Sequence, residues 1–149
     1  MMTAQELWKD FIANKNLDVD HYEAWSFGAE ADSLAQLVVS GEKTATASAY
    51  PLYEIDNECL PTSGEYSVIL DSKNNAVCII QTTKVTVVPF NEVTAEHAYK
   101  EGEGDKSLDY WREVHEKIFT EWMNEAGQEF TFDMEVVCEE FSVIYTPIK

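Results

Sequence analysis

Positive charge is what this sequence has least of. Its 149 residues hold 10 lysines and arginines, with Arg112 the lone arginine, against 28 aspartates and glutamates, for a net charge of -18. Polyanion binding draws on Lys and Arg that displace counterions. A broad nucleic-acid groove is therefore not expected, although RNA at a local basic pocket stays open. Anionic membrane surfaces are disfavoured for the same reason. Cysteine is scarce too. Cys59, Cys78 and Cys138 are odd in number and no two share C-x-x-C spacing, so neither a zinc knuckle nor a redox motif is visible. Cys78 and Cys138 sit in apolar runs and read as reduced core residues, which points to a cytoplasmic protein. No apolar run approaches the ~20 residues of a membrane span. Glu6, Lys9 and Asp10 stand where a signal peptide needs an apolar core. No repeat, low-complexity stretch or linker divides the chain, so residues 1–149 read as one domain.

What is present is a core-forming composition, 45% hydrophobic and 12% aromatic. Thr3-Ala4-Gln5-Glu6 reads as a capping box, opening a helix at about 3–13 with Leu7, Trp8, Phe11 and Ile12 on one face. Residues 14–23 read as loop. A second helix is predicted from about Ala29 to Ser40, stopped by Gly41. Residues 44–48 alternate and read as extended, 54–64 as loop, and 65–70 and 76–81 as strands joined by a turn at 71–75. Residues 84–88 continue the β material. A short helix at Thr94–Lys100 is broken by Gly102. Ser107 caps a long helix from about Leu108 to Ala126, whose apolar face includes Trp111, His115, Phe119 and Trp122. Residues 134–138 and 141–145 close the chain as strands. Helices and short strands without βαβ regularity imply an α+β fold with a small curved sheet or barrel.

The most unusual stretch is Gly41-Glu42-Lys43-Thr44-Ala45-Thr46-Ala47-Ser48. It places a rare lysine beside three hydroxyls. Together with Ala24–Gly28, Glu101–Asp105, Tyr110–His115 and Val136–Glu139 it resembles the ASCH domain family of the PUA-like superfamily, in a longer bacterial subfamily of about this length. The G-x-K-T-x-T element, Gly41 to Thr46, carries the family likeness, and the ordered set covers the chain from about residue 22. The resemblance implies a small PUA-like β-barrel with flanking helices, with the lysine segment lining a cleft. The family's functions include RNA binding, ribonuclease activity and hydrolysis of N4-acylated cytidine by a short amidohydrolase. That amidohydrolase is similar here at Lys43, at Thr46 as its nucleophile, and at Glu101 after a Thr-x-x-His-Ala element (Thr94–Ala98). It continues with Ile-Arg where this chain has Ala47-Ser48, and it lacks the Trp25–Gly28 and Tyr110–His115 segments.

Amide hydrolysis needs a nucleophile, a proton shuttle and an oxyanion holder. Lys43, Thr46 and Glu101 are the expected catalytic set. A lysine serves as base only when its pKa falls toward neutrality, and a field of acids opposes that. Lys43 then reads as an electrostatic clamp and Glu101 as base; the bland alternative is that Lys43 merely pairs with Glu101 or another acid. On one strand Lys43 and Thr46 would face opposite sides, so a bend after Gly41 is required, and the identity of the nucleophile among Thr44, Thr46 and Ser48 stays open. Trp25 and Phe27 either stack on a base or staple the loop to the core. Thr44, Ser48, Asp105 and Tyr110 complete the expected ligand contacts. Arg112 either meets the ligand or pairs with Asp109 or Glu116. His115 reads as a core histidine and Glu139 as a further inward acid. His97 and Glu101 have metal-pair spacing but no third ligand, so no metal is expected, nor any cofactor. The expected partner is a nucleoside-like small molecule; a homodimer is compatible with the sequence.

Overall fold

The structure is a computed structural model that describes residues 2–28 and 30–147. Helix α1 spans Ala4–Lys15 and begins as its capping box dictates. The Thr3 hydroxyl accepts from the Glu6 amide and the Glu6 carboxylate accepts from the Thr3 amide. Leu7, Trp8 and Phe11 are its buried face. Strand β1 (Glu23–Trp25) follows, then helix α2 (Ala31–Ser40), strand β2 (Ala45–Ala49), helix α3 (Tyr50–Ile55), strand β3 (Tyr66–Leu70), strand β4 (Ala76–Pro89), helix α4 (Ala95–Glu101), helix α5 (Leu108–Glu125) and strand β5 (Glu135–Tyr145). The α2 start expected at Ala29 lies outside the described residues.

Four elements differ from the sequence reading. The short β1 pairs parallel with β3, Trp25 opposite Ile69; three residues show no alternation. Helix α3 occupies residues 50–55, where the expected loop was to begin at 54, and Pro51 fits its first turn because the N–H that proline lacks would have no intrahelical acceptor there. The β runs at 76–81 and 84–88 are one strand, β4, and the two C-terminal runs are one strand, β5.

The sheet order is β1-β3-β4-β5-β2, mixed in direction. Register shifts at Ile69/Leu70, Ile79/Ile80 and Thr82/Lys84 mark bulges. Bulges bend and twist a strand, and the curled sheet forms a half-barrel in a PUA-like α+β fold. Alternation decides which helix each side chain meets. Val68 and Ile79 pack with α1 residues Leu7, Trp8 and Phe11. Ile69, Cys78 and Ile80 pack with Val38 of α2 and with Phe27. A third cluster joins Phe90, Trp111, Phe119 and Val136 beneath α5. Cys78 and Cys138 are buried and unpaired, as their apolar settings imply. Among the described residues no helix is long and apolar enough to cross a membrane.

Candidate functional site

Gly41 ends α2 at φ 87°, a left-handed backbone that glycine adopts without Cβ strain. The chain then turns before it becomes a strand. The Lys43 amide donates to Leu37 O, and the Thr44 amide donates to Lys100 O at 2.7 Å. Because β2 begins only at Ala45, Lys43 precedes the strand alternation. That is the bend the spacing required, and it lets Lys43 and Thr46 line the same cleft. The fit of this turn against α4 depends on Gly102. Its φ is +71°, and an added Cβ would lie 2.2 Å from the Glu42 carbonyl oxygen. Gly102→Ala is expected to lower stability by about 2 kcal/mol and to shift the Lys43 turn off α4. Urea unfolding of the variant checks this; a loss below about 0.5 kcal/mol would show that the turn yields freely.

Lys43 is 1% exposed. Its Nζ lies 2.8 Å from Glu103 Oε2 and 3.4 Å from Glu101 Oε1, and 5.3 Å from the centre of the Phe27 ring. Glu101 is held from several sides. Thr94 caps α4 through the His97 amide, and the i,i+4 spacing puts His97 and Glu101 on one helix face. His97 Nε2 is 2.6 Å from Glu101 Oε2, and Trp111 Nε1 donates to the same oxygen at 2.5 Å. His115 Nε2 stands 3.5 Å from Oε1. Its Nδ1 faces the Trp111 carbonyl at 2.8 Å, so Nδ1 carries a hydrogen. The imidazole stacks on the Trp111 ring at 4.2 Å.

These contacts set the proton chemistry. Burial alone would raise the Glu101 carboxyl. The Lys43 charge, then hydrogen bonds from His115 and His97, outweigh it and hold Glu101 well below the usual carboxylate range. Burial likewise works to lower His97, but its contacts with Cys138 and Glu101 push it up to about 9. The Glu101–His97 pairing is thus a carboxylate–imidazolium pair at neutral pH. A carboxylate so committed is a poor proton acceptor, and Glu101 orients Lys43 better than it serves as base.

The cleft above this network has a volume of about 1290 Å³. Trp25, Phe27, Ile118 and Trp122 form an apolar wall, while Thr46, Ser48, Tyr53 and Tyr110 supply hydroxyls. Trp25 and Phe27 meet edge to face at 5.1 Å, and Phe27 packs into the core, as the staple reading expects, while also lining the cleft. Ser48 Oγ and Tyr53 Oη are 2.8 Å apart.

The structure thus gathers Lys43, Thr46, Glu101, Trp25, Phe27, Ser48 and Tyr110 around one cavity. Three expected ligand contacts stand apart from it. Thr44 precedes β2 and turns its hydroxyl to Lys100 O at 3.3 Å. Asp105 accepts from the Ser107 amide at the start of α5. Arg112 is roughly 200° around α5 from Tyr110 and donates to the carbonyls of Asn91 and Val93 rather than pairing with Asp109 or Glu116. Sequence reading missed the direct grip of Glu103 on Lys43 and the role of Trp111. It also took His115 for core; it is buried, but it lines the cleft and faces Glu101. The i,i+4 pairs His97/Glu101 and Trp111/His115 were the available signal.

The curled mixed sheet with helices packed around it is a PUA-like half-barrel, and the buried lysine–glutamate pair lines its cleft. The ASCH domain model matches residues 23–145, and the chain belongs to that family. Protein EF3133 from Enterococcus faecalis V583 is 38% identical, covering 95% of this chain and 88% of that one, with a TM-score of 0.89. An ASCH domain from Lactobacillus crispatus JV V101 is 32% identical over 95% of this chain and 93% of its own, with a TM-score of 0.84. A mutant form of ZmASCH from Zymomonas mobilis is 16% identical over 85% of this chain and 71% of its own at a TM-score of 0.51, a likeness of fold alone. No curated protein matches the chain.

Proposed function

We propose that this protein hydrolyses an amide on a modified pyrimidine nucleoside, of the kind found in an N4-acylated cytidine. The observation that carries the reading is that Lys43, Thr46 and Glu101, the three positions similar to the amidohydrolase set, line one cleft with an aromatic wall. Thr46 Oγ1 adds to the acyl carbon. Lys43, fixed between Glu101 and Glu103, faces the developing oxyanion as a preorganised positive charge. The C–N bond breaks, and the hydroxyl proton ends on the departing amine. Water then cleaves the acyl-threonine ester and releases the acid. Trp25, with the Phe27 ring edge-on beside it, offers an apolar face to a pyrimidine.

Incubation with N4-acetylcytidine, with release of acetate and cytidine followed by chromatography, tests this. Thr46→Val keeps the side-chain shape and removes the hydroxyl; it is expected to reduce turnover at least about 1000-fold while the unfolding midpoint stays close to wild type. Lys43-dependent degradation of single-stranded RNA, with no acetate released, would replace this reading by the family's ribonuclease activity.

A further inference from the structure

The walls of the cleft are charged almost entirely with one sign. Seven glutamates and a single lysine line it, and that lysine is already held by Glu101 and Glu103. One of the acids differs from the rest. Glu139 is 8% exposed. Its Oε2 accepts from the Thr82 hydroxyl at 2.7 Å. Among the described residues no cation meets this carboxyl and no donor reaches its Oε1. Glu139 pairs in register with Thr46 across β5 and β2, so both side chains stand on the sheet face that lines the cleft. Burial, with Glu65 adding its charge, holds the carboxyl above the usual range despite the Thr82 hydrogen bond. Oε1 is not sealed in the protein interior, so it stays open to a donor that enters the cleft.

A ligand can supply that donor. Glutamate reads the exocyclic amino group of cytosine by accepting from it, and the Trp25–Phe27 wall takes a flat ring. A phosphate brought into the same space would meet acids on several sides and no free lysine or arginine. We propose that Glu139 is the recognition group of the cleft: its open Oε1 accepts from an exocyclic N–H of a flat, unphosphorylated heterocycle, and the surrounding glutamates reject phosphorylated forms. The assignment rests on the nucleoside reading above and narrows it to nucleosides over nucleotides.

Isothermal titration of the full chain with cytidine, N4-acetylcytidine and cytidine 5′-monophosphate tests it. The two nucleosides are expected to bind, and the monophosphate to bind at least about tenfold more weakly at low salt, with the gap narrowing as salt screens the repulsion. Glu139→Gln, which keeps the shape and removes the charge, is expected to weaken nucleoside binding by about tenfold or more. Equal affinity for cytidine and its monophosphate, unchanged nucleoside affinity in Glu139→Gln, or no nucleoside binding by the wild type would overturn the assignment. The phosphate discrimination is read on the wild type and stands whatever the stability of the variant. The two proposals fail separately. Binding in the expected pattern without acetate release defeats only the hydrolysis. Acetate release with binding indifferent to Glu139 and to phosphate defeats only the recognition.

Discussion

Lys43→Met is expected to destabilise the fold by about 3–5 kcal/mol, a large share of the 5–15 kcal/mol typical of a domain. The side chain is 1% exposed and so is the Glu101 carboxylate it meets. Burying one ion is expensive, and the ion pair offsets that expense only while both members are present. Methionine fills similar space but leaves Glu101 with the donors of His97, His115 and Trp111 and without its fixed cation. Adding Glu101→Leu removes the stranded charge. The double variant Lys43→Met/Glu101→Leu should therefore lose less than the sum of the two single changes, by about 2 kcal/mol. Urea unfolding at pH 6.5 of the four proteins measures that coupling. Additive losses would mean that Lys43 and Glu101 do not act as an energetic unit.

Stability should also fall on the alkaline side through one histidine. His97 titrates at about 9 in the native state, against 6.5 for an ordinary histidine. The native state thus holds this proton more tightly than the unfolded chain does. The stabilisation it brings is complete below pH 6.5 and is lost as the pH rises to about 9. The difference corresponds to about 3 kcal/mol. Glu101 acts in the opposite sense. Its carboxyl is held well below the ordinary glutamate value of 4.5, so its contribution is present above about pH 4.5 and is lost only as the pH falls through the depressed value. Between pH 4.5 and 6.5 both contributions are in place. In His97→Gln the decline between pH 6.5 and 9 should flatten relative to wild type, with lower stability at pH 6. Parallel pH-dependent slopes in the two proteins would show that the decline belongs to other groups.

Local signals carried much of this molecule. The Thr3 capping box, the Ser107 cap with the α5 periodicity and the Gly41 stop each act within a few residues, and each element formed where its signal stood. The missed pieces were short. β1 is three residues long and exists through its parallel pairing to Ser67–Ile69, a partnership no local pattern encodes. Asp105 and Arg112 were drawn from motif neighbourhoods, yet one holds the amide of the Ser107 cap and the other faces away from the cleft. A motif fixes identity along the chain; the direction a side chain takes depends on helix phase and on packing.

The sequence by itself determined the charge of the molecule, its α+β class, its family likeness and the Lys43-Thr44-Ala45-Thr46 segment. Those rest on composition, on local propensity and on residue order, which survive without a fold. Only the tertiary structure decided that Lys43 is buried between Glu101 and Glu103, that His97, His115 and Trp111 close around the same carboxylate, and that Glu139 comes to rest beside Thr46. These groups lie more than about 50 residues from Lys43 along the chain, and Glu139 sits on the strand that neighbours β2. Their meeting depends on α4 pressing against the Gly41 turn and on the β2–β5 register, both of which are set by the packing of the whole sheet.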